Sequence, residues 1–262
     1  MTDDTDTTLD RDAVTRQVAS LTRRSLAALA EHVTAFDGGF AVRTTALPLV
    51  WTLNQVRIAG PTTAGELAAL ADRFQEGLSF RHVVVEGEQG ALLVAQLAAA
   101  GWWSEREVLM AMTGPVDRGI DTTSVVELSE RQMMSLMRQW LLEERVETTD
   151  DGLDQVAEYS RREGALFDET RLGVVHEGTP VAITKLRASE RIAWVEDVYT
   201  APSARGRGLA RALVAEAVTR AWKAQPAFAF IIADDQDWPK HFYARAGFVP
   251  MGCNYTFHLG AA

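Results

Sequence analysis

The sequence predicts an α/β (α+β) fold with two domains, each a mixed, mostly antiparallel, twisted sheet flanked by helices. Three observations lead to this prediction. Over residues 194–222, an apolar run, a glycine-rich turn and a segment with helical spacing follow one another. Alternating residues and short turns over 171–200 indicate an antiparallel meander. The order strand, helix, strand, helix, strand is then predicted twice, over 55–112 and again from residue 192 onward.

Composition limits the class of protein. The chain has 262 residues, 47% apolar and 24% charged, which is enough for two ordinary cores. A net charge of −10 without a basic run predicts no nucleic-acid partner and favours cations, amines among them. The one cysteine, Cys253, excludes an intramolecular disulfide and a multi-cysteine metal site, and we expect a buried thiol. The five histidines have no metal-like spacing, so no metal is predicted.

The first residues and the hydropathy pattern bear on location. Residues 1–9 are acidic and rich in hydroxyl groups, and we expect a disordered tail rather than a signal peptide. No apolar run is long enough to span a bilayer. We therefore expect a cytoplasmic protein without a membrane partner. The content of alanine and arginine suggests a bacterial source.

The first domain is predicted over residues 10–118. Apolar spacing and the capping pair Thr63 and Glu66 define its helices. The expected elements are a helix over 10–33, extended segments over 40–58, a helix over 63–74, a strand over 81–86, a helix over 91–100 and a strand over 105–112.

A linker dense in Gly, Pro and Asp, residues 113–122, leads into the second domain, predicted over 119–262. Ser129 caps its first helix, and Pro239 lies in the first turn of its last. The expected elements are a strand over 124–128, helices over 129–144 and 153–163, the meander, a helix from about 206, a strand over 228–234, a helix opened by Asp237, Trp238 and Pro239, and a final strand.

The turn over residues 205–210 reads RGRGLA and joins the strand ending near Thr200 to a helix. Glycine lets the backbone approach a ligand closely, and the first N–H groups of a helix attract anions. A diphosphate fits this description. Neither the dinucleotide-binding pattern G-x-G-x-x-G nor the Walker pattern is present.

This turn resembles the acetyl-CoA-binding signature of the GNAT superfamily of N-acyltransferases, [QR]-x-x-G-x-[GA], with Arg205, Gly208 and Ala210 at its fixed positions. Residues 242–248, FYARAGF, are similar to the F-Y-x-x-x-G-F string that ends the same domain. The resemblance implies an acyltransferase that uses acetyl-CoA as co-substrate and an amine as acceptor. It also implies that the two helices over 129–163 and their connection, residues 144–152, cover the acceptor.

The resemblance assigns residues to the cofactor. The pantetheine arm is expected beside the strand end, and the diphosphate at the turn and the start of the next helix. Gln236 stands where the family often has an asparagine that contacts the pantetheine. The candidate cofactor-binding residues are Val198, Tyr199, Thr200, Arg205, Gly206, Arg207, Gly208, Leu209, Ala210, Arg211 and Gln236.

Transfer to an amine requires a base, because an alkylamine with a pKa near 10 is protonated at neutral pH. Glu196 and Asp197 lie on the central strand, and strict alternation would send them to opposite faces. We favour Glu196 as the base over Asp197; the alternative is that either one only pairs with Arg191 or Lys185. Tyr243 is the candidate acid for the departing thiolate, although it could instead only pack its ring and hydrogen-bond the sulfur.

The first domain resembles a degenerate copy of the second. Its turn, residues 59–62, reads AGPT and has one glycine and a proline, so fewer N–H groups could face a diphosphate. Gln96 and Leu97 replace the Phe-Tyr pair. We expect no acetyl-CoA there, and a role in scaffolding or in enclosing the acceptor site.

Three functions remain open at this point. The first is an acetyl-CoA-dependent N-acetyltransferase that acts on a primary amine of a small molecule. The second is a non-catalytic acyl-CoA-binding or regulatory protein. The third is an acetyltransferase for protein N-termini or lysines. The oligomeric state is open between monomer and homodimer.

Overall fold

The computed structural model describes residues 9–116, 119–145, 147–189, 191–236 and 239–260. Nearly all of the predicted tail, the linker residues Asp117 and Arg118, and the predicted helix start at Asp237 and Trp238 lie outside these residues.

The described residues form seven α-helices and eleven strands. The helices are α1 Arg11–Leu29, α2 Ala64–Phe74, α3 Val94–Ala99, α4 Glu130–Glu143, α5 Asp150–Gly164, α6 Leu209–Lys223 and α7 Pro239–Arg245. The strands are β1 His32–Phe36, β2 Gly39–Arg43, β3 Val56–Ile58, β4 Phe80–Glu86, β5 Trp103–Met112, β6 Val125–Glu127, β7 Asp168–His176, β8 Thr179–Ser189, β9 Ile192–Thr200, β10 Phe228–Asp234 and β11 Val249–Gly260. None of the helices within the described ranges combines the length and the apolar content that a membrane-spanning helix needs.

All eleven strands belong to one sheet, in the order β1-β2-β3-β4-β11-β5-β10-β9-β8-β7-β6. The last strand of the chain, β11, lies between β4 and β5, and β5 lies between β11 and β10. Apart from β6, the order reads alike from both ends: three meandering strands, a parallel crossover, and then a strand from the other half. The two halves of the chain therefore interleave in one mixed, mostly antiparallel sheet.

Local sequence signals define several element boundaries. Thr63 with Glu66 and Ser129 with Gln132 form capping boxes, as predicted for the first pair. The predicted meander is confirmed as β7, β8 and β9. The predicted helix over 91–100 is instead a 3₁₀ turn, Glu88–Leu92, followed by the short helix α3. Gly90 packs so closely on Tyr255 that an added Cβ would lie 2.5 Å from its side chain, which fixes the turn against β11.

One helix on each side of the central strands covers the sheet. Helix α6 buries an apolar face that includes Leu213, Val214 and Val218 against β8, β9 and β10. Helix α1 buries Val14 and Val18 on the other face. Each such side chain contributes about 1.5–3 kcal/mol when fully buried. This packing holds the first turn of α6 beside the end of β9.

Candidate active site

Strands β9 and β10 separate in the middle of the sheet. They pair in parallel only from Ile192 with Phe228 to Trp194 with Phe230. Beyond Trp194, β9 continues to Thr200 and stays paired with β8, whereas β10 continues to Asp234 paired with β5. The facing edges of the two strands therefore leave a gap with unpaired backbone groups along β9.

A bulge in β9 lies at this gap. The register with β8 shifts between Ile183, which pairs with Tyr199, and Lys185, which pairs with Glu196. Asp197 has a φ of 54°, in the left-handed region that Asp tolerates better than most residues. The Thr184 hydroxyl donates a 2.8 Å hydrogen bond to the Glu196 carbonyl. The bulge bends β9 and turns its backbone toward the gap.

The glycine turn after β9 presents the start of α6 to open space. Gly206 and Gly208 both have a φ of 77°, which favours glycine. Gly208 is the N-cap of α6 and has no side chain to cap it, so the first N–H groups of the helix lack a capping partner. An added Cβ at either glycine would meet nothing within 4 Å. The turn therefore has the form of an anion cradle.

The gap and the turn open into one cavity of about 720 Å³, which we call the loop cavity. Ten sequence-predicted residues line it: Val198, Tyr199, Thr200, Arg205, Gly206, Gly208, Leu209, Ala210, Arg211 and Tyr243. The predicted residues Glu196, Asp197, Arg207 and Gln236 are described but are not part of this lining. Gln236 is exposed, and its backbone N–H is bonded to Asp234.

Side chains of helix α4 contact residues at the entrance of the loop cavity. Glu143 accepts hydrogen bonds from the Tyr199 hydroxyl at 2.5 Å and from Arg205 Nη2 at 3.1 Å. The Trp140 ring stacks on Tyr199 with centroids 5.3 Å apart. Thr200 Oγ1 is buried without a hydrogen-bond partner among the described residues. The Thr200 hydroxyl is therefore available to hydrogen-bond a polar group in the cavity.

Helix α7 carries Tyr243 into the loop cavity. The side chain is 7% exposed and packs edge-on against Phe242 and Phe248, the other aromatic residues of the predicted string. Burial raises the pKa of Tyr243 above its usual value. The phenol therefore keeps its proton at every working pH and acts as a donor.

Glu196 and Asp197 lie in a buried ion-pair cluster. Asp197 is 2.6 Å from Lys185 Nζ, and Glu196 pairs with Arg187. Because Lys185 and Arg187 share one face of β8, both carboxylates reach that face. The prediction that alternation sends them to opposite faces is wrong, since the bulge adds a residue and resets the alternation.

The electrostatics of the cluster are dominated by burial. Loss of water on burial is the largest effect and raises the pKa of Glu196 to about 8. The positive charge of Arg187 opposes this shift, whereas repulsion from Asp197 and Glu163 adds to it. Burial lowers the pKa of Lys185, but Asp197 and Glu196 outweigh it and the pKa lies above its usual value. The shift at Glu196 brings the pKa of this carboxyl group closer to neutral pH than that of an ordinary glutamate.

Six residues that line the loop cavity are not among the sequence-predicted site residues: Trp140, Glu144, Ala204, Asp234, Pro239 and Phe242. Trp140 and its neighbours had the spacing of a core helix face, and Asp234 is the polar end of an apolar strand. A signal was available in Asp234, because the carboxyl ends of parallel strands are where open sheets bind ligands.

Comparison with solved structures establishes the fold. A GCN5-related N-acetyltransferase from Kribbella flavida matches with a TM-score of 0.65 and 17% identity, over 95% of this chain and 96% of the other. A functionally unknown conserved protein from Staphylococcus epidermidis matches with a TM-score of 0.66 and 13% identity, over 89% of this chain and 95% of the other. A tandem GNAT protein from the clavulanic acid biosynthesis pathway matches with a TM-score of 0.51 and 13% identity, over 76% of this chain and 68% of the other. The chain therefore has the fold of the GNAT proteins.

Part of the chain matches a family profile by sequence. Residues 134–248 match the profile described as the Acetyltransferase (GNAT) family. Over these residues, which are less than half of the chain, the sequence is similar to the GNAT acetyltransferases. No curated protein matches the chain.

Proposed function

We propose that this protein is an acetyl-CoA-dependent N-acetyltransferase that transfers the acetyl group directly to a primary amine of a small molecule. The observation that carries the proposal is the convergence of the β9 edge, the glycine turn and Tyr243 on the loop cavity. All three lie within the part of the chain that matches the family.

The loop cavity fits acetyl-CoA. The open cradle at Gly206 and Gly208 suits a diphosphate, and Arg211 lines the same cavity without a hydrogen bond to the other described residues. The unpaired edge of β9 suits an amide-containing arm that adds to the sheet like a strand. The orphaned Thr200 hydroxyl offers one more polar contact. Arg205 is held by Glu143 and serves to fix the turn.

In the reaction, the amine nitrogen bonds to the acetyl carbonyl carbon, the carbon–sulfur bond breaks, and CoA leaves as the thiol. Glu196 is our candidate for the base, because a pKa of about 8 suits proton uptake near neutral pH. Glu196 does not line the loop cavity, so the proton reaches it from the acceptor side or through water. Asp197 remains the second candidate, with its charge held by Lys185. Tyr243 would return a proton to sulfur.

We further propose that residues 10–118 are a degenerate copy of residues 119–262. The sheet order that reads alike from both ends supports this duplication. At the equivalent turn, an added Cβ at Gly60 would lie 2.9 Å from the Gly38 Cα atom. Backbone thus fills the space that is open at Gly208, which supports the absence of acetyl-CoA from this half.

The proposal is tested by measuring release of the CoA thiol from acetyl-CoA with a panel of primary amines. We expect turnover with at least one amine, and a kcat at least about ten-fold lower in Tyr243→Phe, the scale of a lost general acid. Tyr255→Phe, a buried tyrosine on β11 outside the loop cavity, is the matched control and should keep the wild-type kcat. Acetyl-CoA binding without turnover on any amine would instead indicate a binding module.

A further inference from the structure

A second cavity, of about 520 Å³, lies under helix α1 on the sheet face formed by β4, β11, β5 and β10. We call it the aromatic cavity, and its characteristic lining residues are Trp51, Trp103, His258, Glu105, Glu107 and Trp194. Its volume lies within the range typical of small-molecule sites. Most of its lining comes from the half of the chain that the family profile does not match.

The aromatic cavity adjoins the loop cavity where β9 and β10 separate. Glu144 lines both cavities. On β9, Trp194 lines the aromatic cavity and Val198 lines the loop cavity. On β10, Ile232 lines the aromatic cavity and Asp234 lines the loop cavity. A molecule in the aromatic cavity could therefore reach a thioester in the loop cavity through the gap in the sheet.

Strand pairing arranges the floor of the aromatic cavity in rows. His258 pairs across the sheet with Trp103, and two residues further along Thr256 pairs with Glu105. The next row contains Glu107, whose partner on β10 is Asp234. Two residues along a strand span roughly 6.6 Å. The rings of Trp103 and His258 thus lie at one end of the floor. The carboxylates of Glu105 and Glu107 lie between these rings and the gap that separates β9 from β10.

The aromatic end is a packed set of flat rings with an unused polar atom. Trp103 stacks on His258 with centroids 3.7 Å apart and planes at 9°, and Trp51 lies 5.0 Å from His258. His258 is 5% exposed, and its Nδ1 is 3.2 Å from Nδ1 of His82. Its Nε2 is buried without a hydrogen-bond partner among the described residues. A buried polar atom without a partner at a cavity wall points to a ligand.

Two arginines, Arg57 and Arg145, also line the aromatic cavity, but neither forms an ion pair with its carboxylates Glu105 and Glu107. Within the described part of the chain, no lysine or arginine is at ion-pair distance from Glu105 or Glu107. The Arg57 side chain, which lines the same cavity, is paired with Glu86 at 3.2 Å. Burial raises the pKa of Glu107 against the opposing charge of Arg57, and burial with repulsion from Glu107 raises the pKa of Glu105. Glu107 is half-buried and Glu105 is exposed, and an incoming cation would offset the cost of the half-buried charge.

We propose that the aromatic cavity is the acceptor site and that it selects an arylalkylamine, a primary ammonium joined by a short chain to an aromatic ring. The ring stacks at Trp103 and Trp51, and the ammonium is held by Glu107 and Glu105 beside the gap. This inference rests on the proposed function. It makes the half that lacks the cofactor turn the source of acceptor specificity.

Calorimetric titration of the full chain with tryptamine, with and without saturating CoA, tests this inference. Tryptophol, which lacks the ammonium, and 1,5-diaminopentane, which lacks the ring, are the comparison ligands. We expect tryptamine to bind at least about ten-fold more tightly than either. Glu107→Gln and Trp103→Ala should each weaken tryptamine binding about five-fold or more, whereas the exposed-surface control Glu130→Gln should not.

Each arm of the test has its own outcome. Equal tryptamine affinity in the wild type, Glu107→Gln and Trp103→Ala would overturn the inference, as would tighter binding of 1,5-diaminopentane or no tryptamine binding in either condition. Unchanged acetyl-CoA affinity in both variants shows that they remain folded. If tryptamine binds as expected but acetyl-CoA does not bind the wild type, the proposed function fails and the amine site stands.

Discussion

At the scale of single residues, Glu196 belongs to a buried cluster with an excess of negative charge. The cluster contains four carboxylates, Glu163, Glu169, Glu196 and Asp197, and three cations, Arg171, Lys185 and Arg187. Ion pairs in such a site offset desolvation only when every charge is compensated. The cluster loses its excess negative charge when one carboxyl group is protonated. Because burial raises the pKa of Glu196, this group is the one that takes up the proton.

This protonation makes stability depend on pH. The pKa of Glu196 rises from 4.5 to about 8 on folding, so its stabilising effect is complete below pH 4.5 and is lost as the pH rises through 8. We expect the free energy of unfolding to fall across this window by roughly 1.4 kcal/mol per unit of pKa shift. In Glu196→Gln, urea unfolding at several pH values should show a flatter profile. A profile parallel to that of the wild type would contradict the assignment.

Sequence motifs located the glycine turn and Tyr243, which the structure brings together in the loop cavity, because those residues lie within short, local patterns. They did not identify the aromatic end of the second cavity. His82 and His258 are far apart in the sequence and meet only because β11 inserts beside β4. The face of the sheet on which the Asp197 side chain lies could not be predicted from the local sequence either, because it depends on the register between β8 and β9.

At the scale of elements, the bulge in β9 decides how the strand faces the gap. Thr184 is fully buried, and its hydroxyl is bonded to the carbonyl of Glu196 within the bulge. A buried carbonyl that loses its donor costs about 1–3 kcal/mol. The bulge therefore depends on this side chain as well as on the left-handed conformation of Asp197.

We expect Thr184→Val to lower the free energy of unfolding by about 1–3 kcal/mol in urea titrations, because the volume is kept and only the hydrogen bond is lost. The rate of acetyl transfer should fall with it, since the bulge aims the backbone of Val198 at the loop cavity. Thr170→Val, on strand β7, is the matched control and should change stability by less than about 0.5 kcal/mol. Equal stabilities for the two variants would show that the bulge does not need the hydroxyl.

At the scale of the whole molecule, the two halves share one sheet. Composition placed a boundary near residue 118, and the linker composition there is a local signal. The exchange of β11 and β5 between the halves has no such signal, because strand pairing between distant segments is set by the assembled sheet. Each half alone would expose long unpaired strand edges, which favour aggregation.

Separate expression of residues 10–118 and 119–262 tests this dependence. We expect each piece to be insoluble or unfolded alone and the two to reassemble when produced together, whereas the full chain should unfold in one cooperative step. Circular dichroism and sedimentation would report both results. A soluble, monomeric piece 119–262 that binds acetyl-CoA would show that the halves are independent.

We propose that each chain has one acetyl-CoA site and that this site lies at the turn before α6. Calorimetric titration with acetyl-CoA tests it on the wild type, on Gly208→Glu and on Gly178→Glu. The two glycines have φ values of 77° and 80° and open space around them, so both variants carry similar backbone strain and the same added charge. We predict one site in the wild type and in Gly178→Glu, and none in Gly208→Glu. Two sites in the wild type would show that the first half also binds acetyl-CoA, and undiminished binding in Gly208→Glu would show that the turn before α6 is not the site.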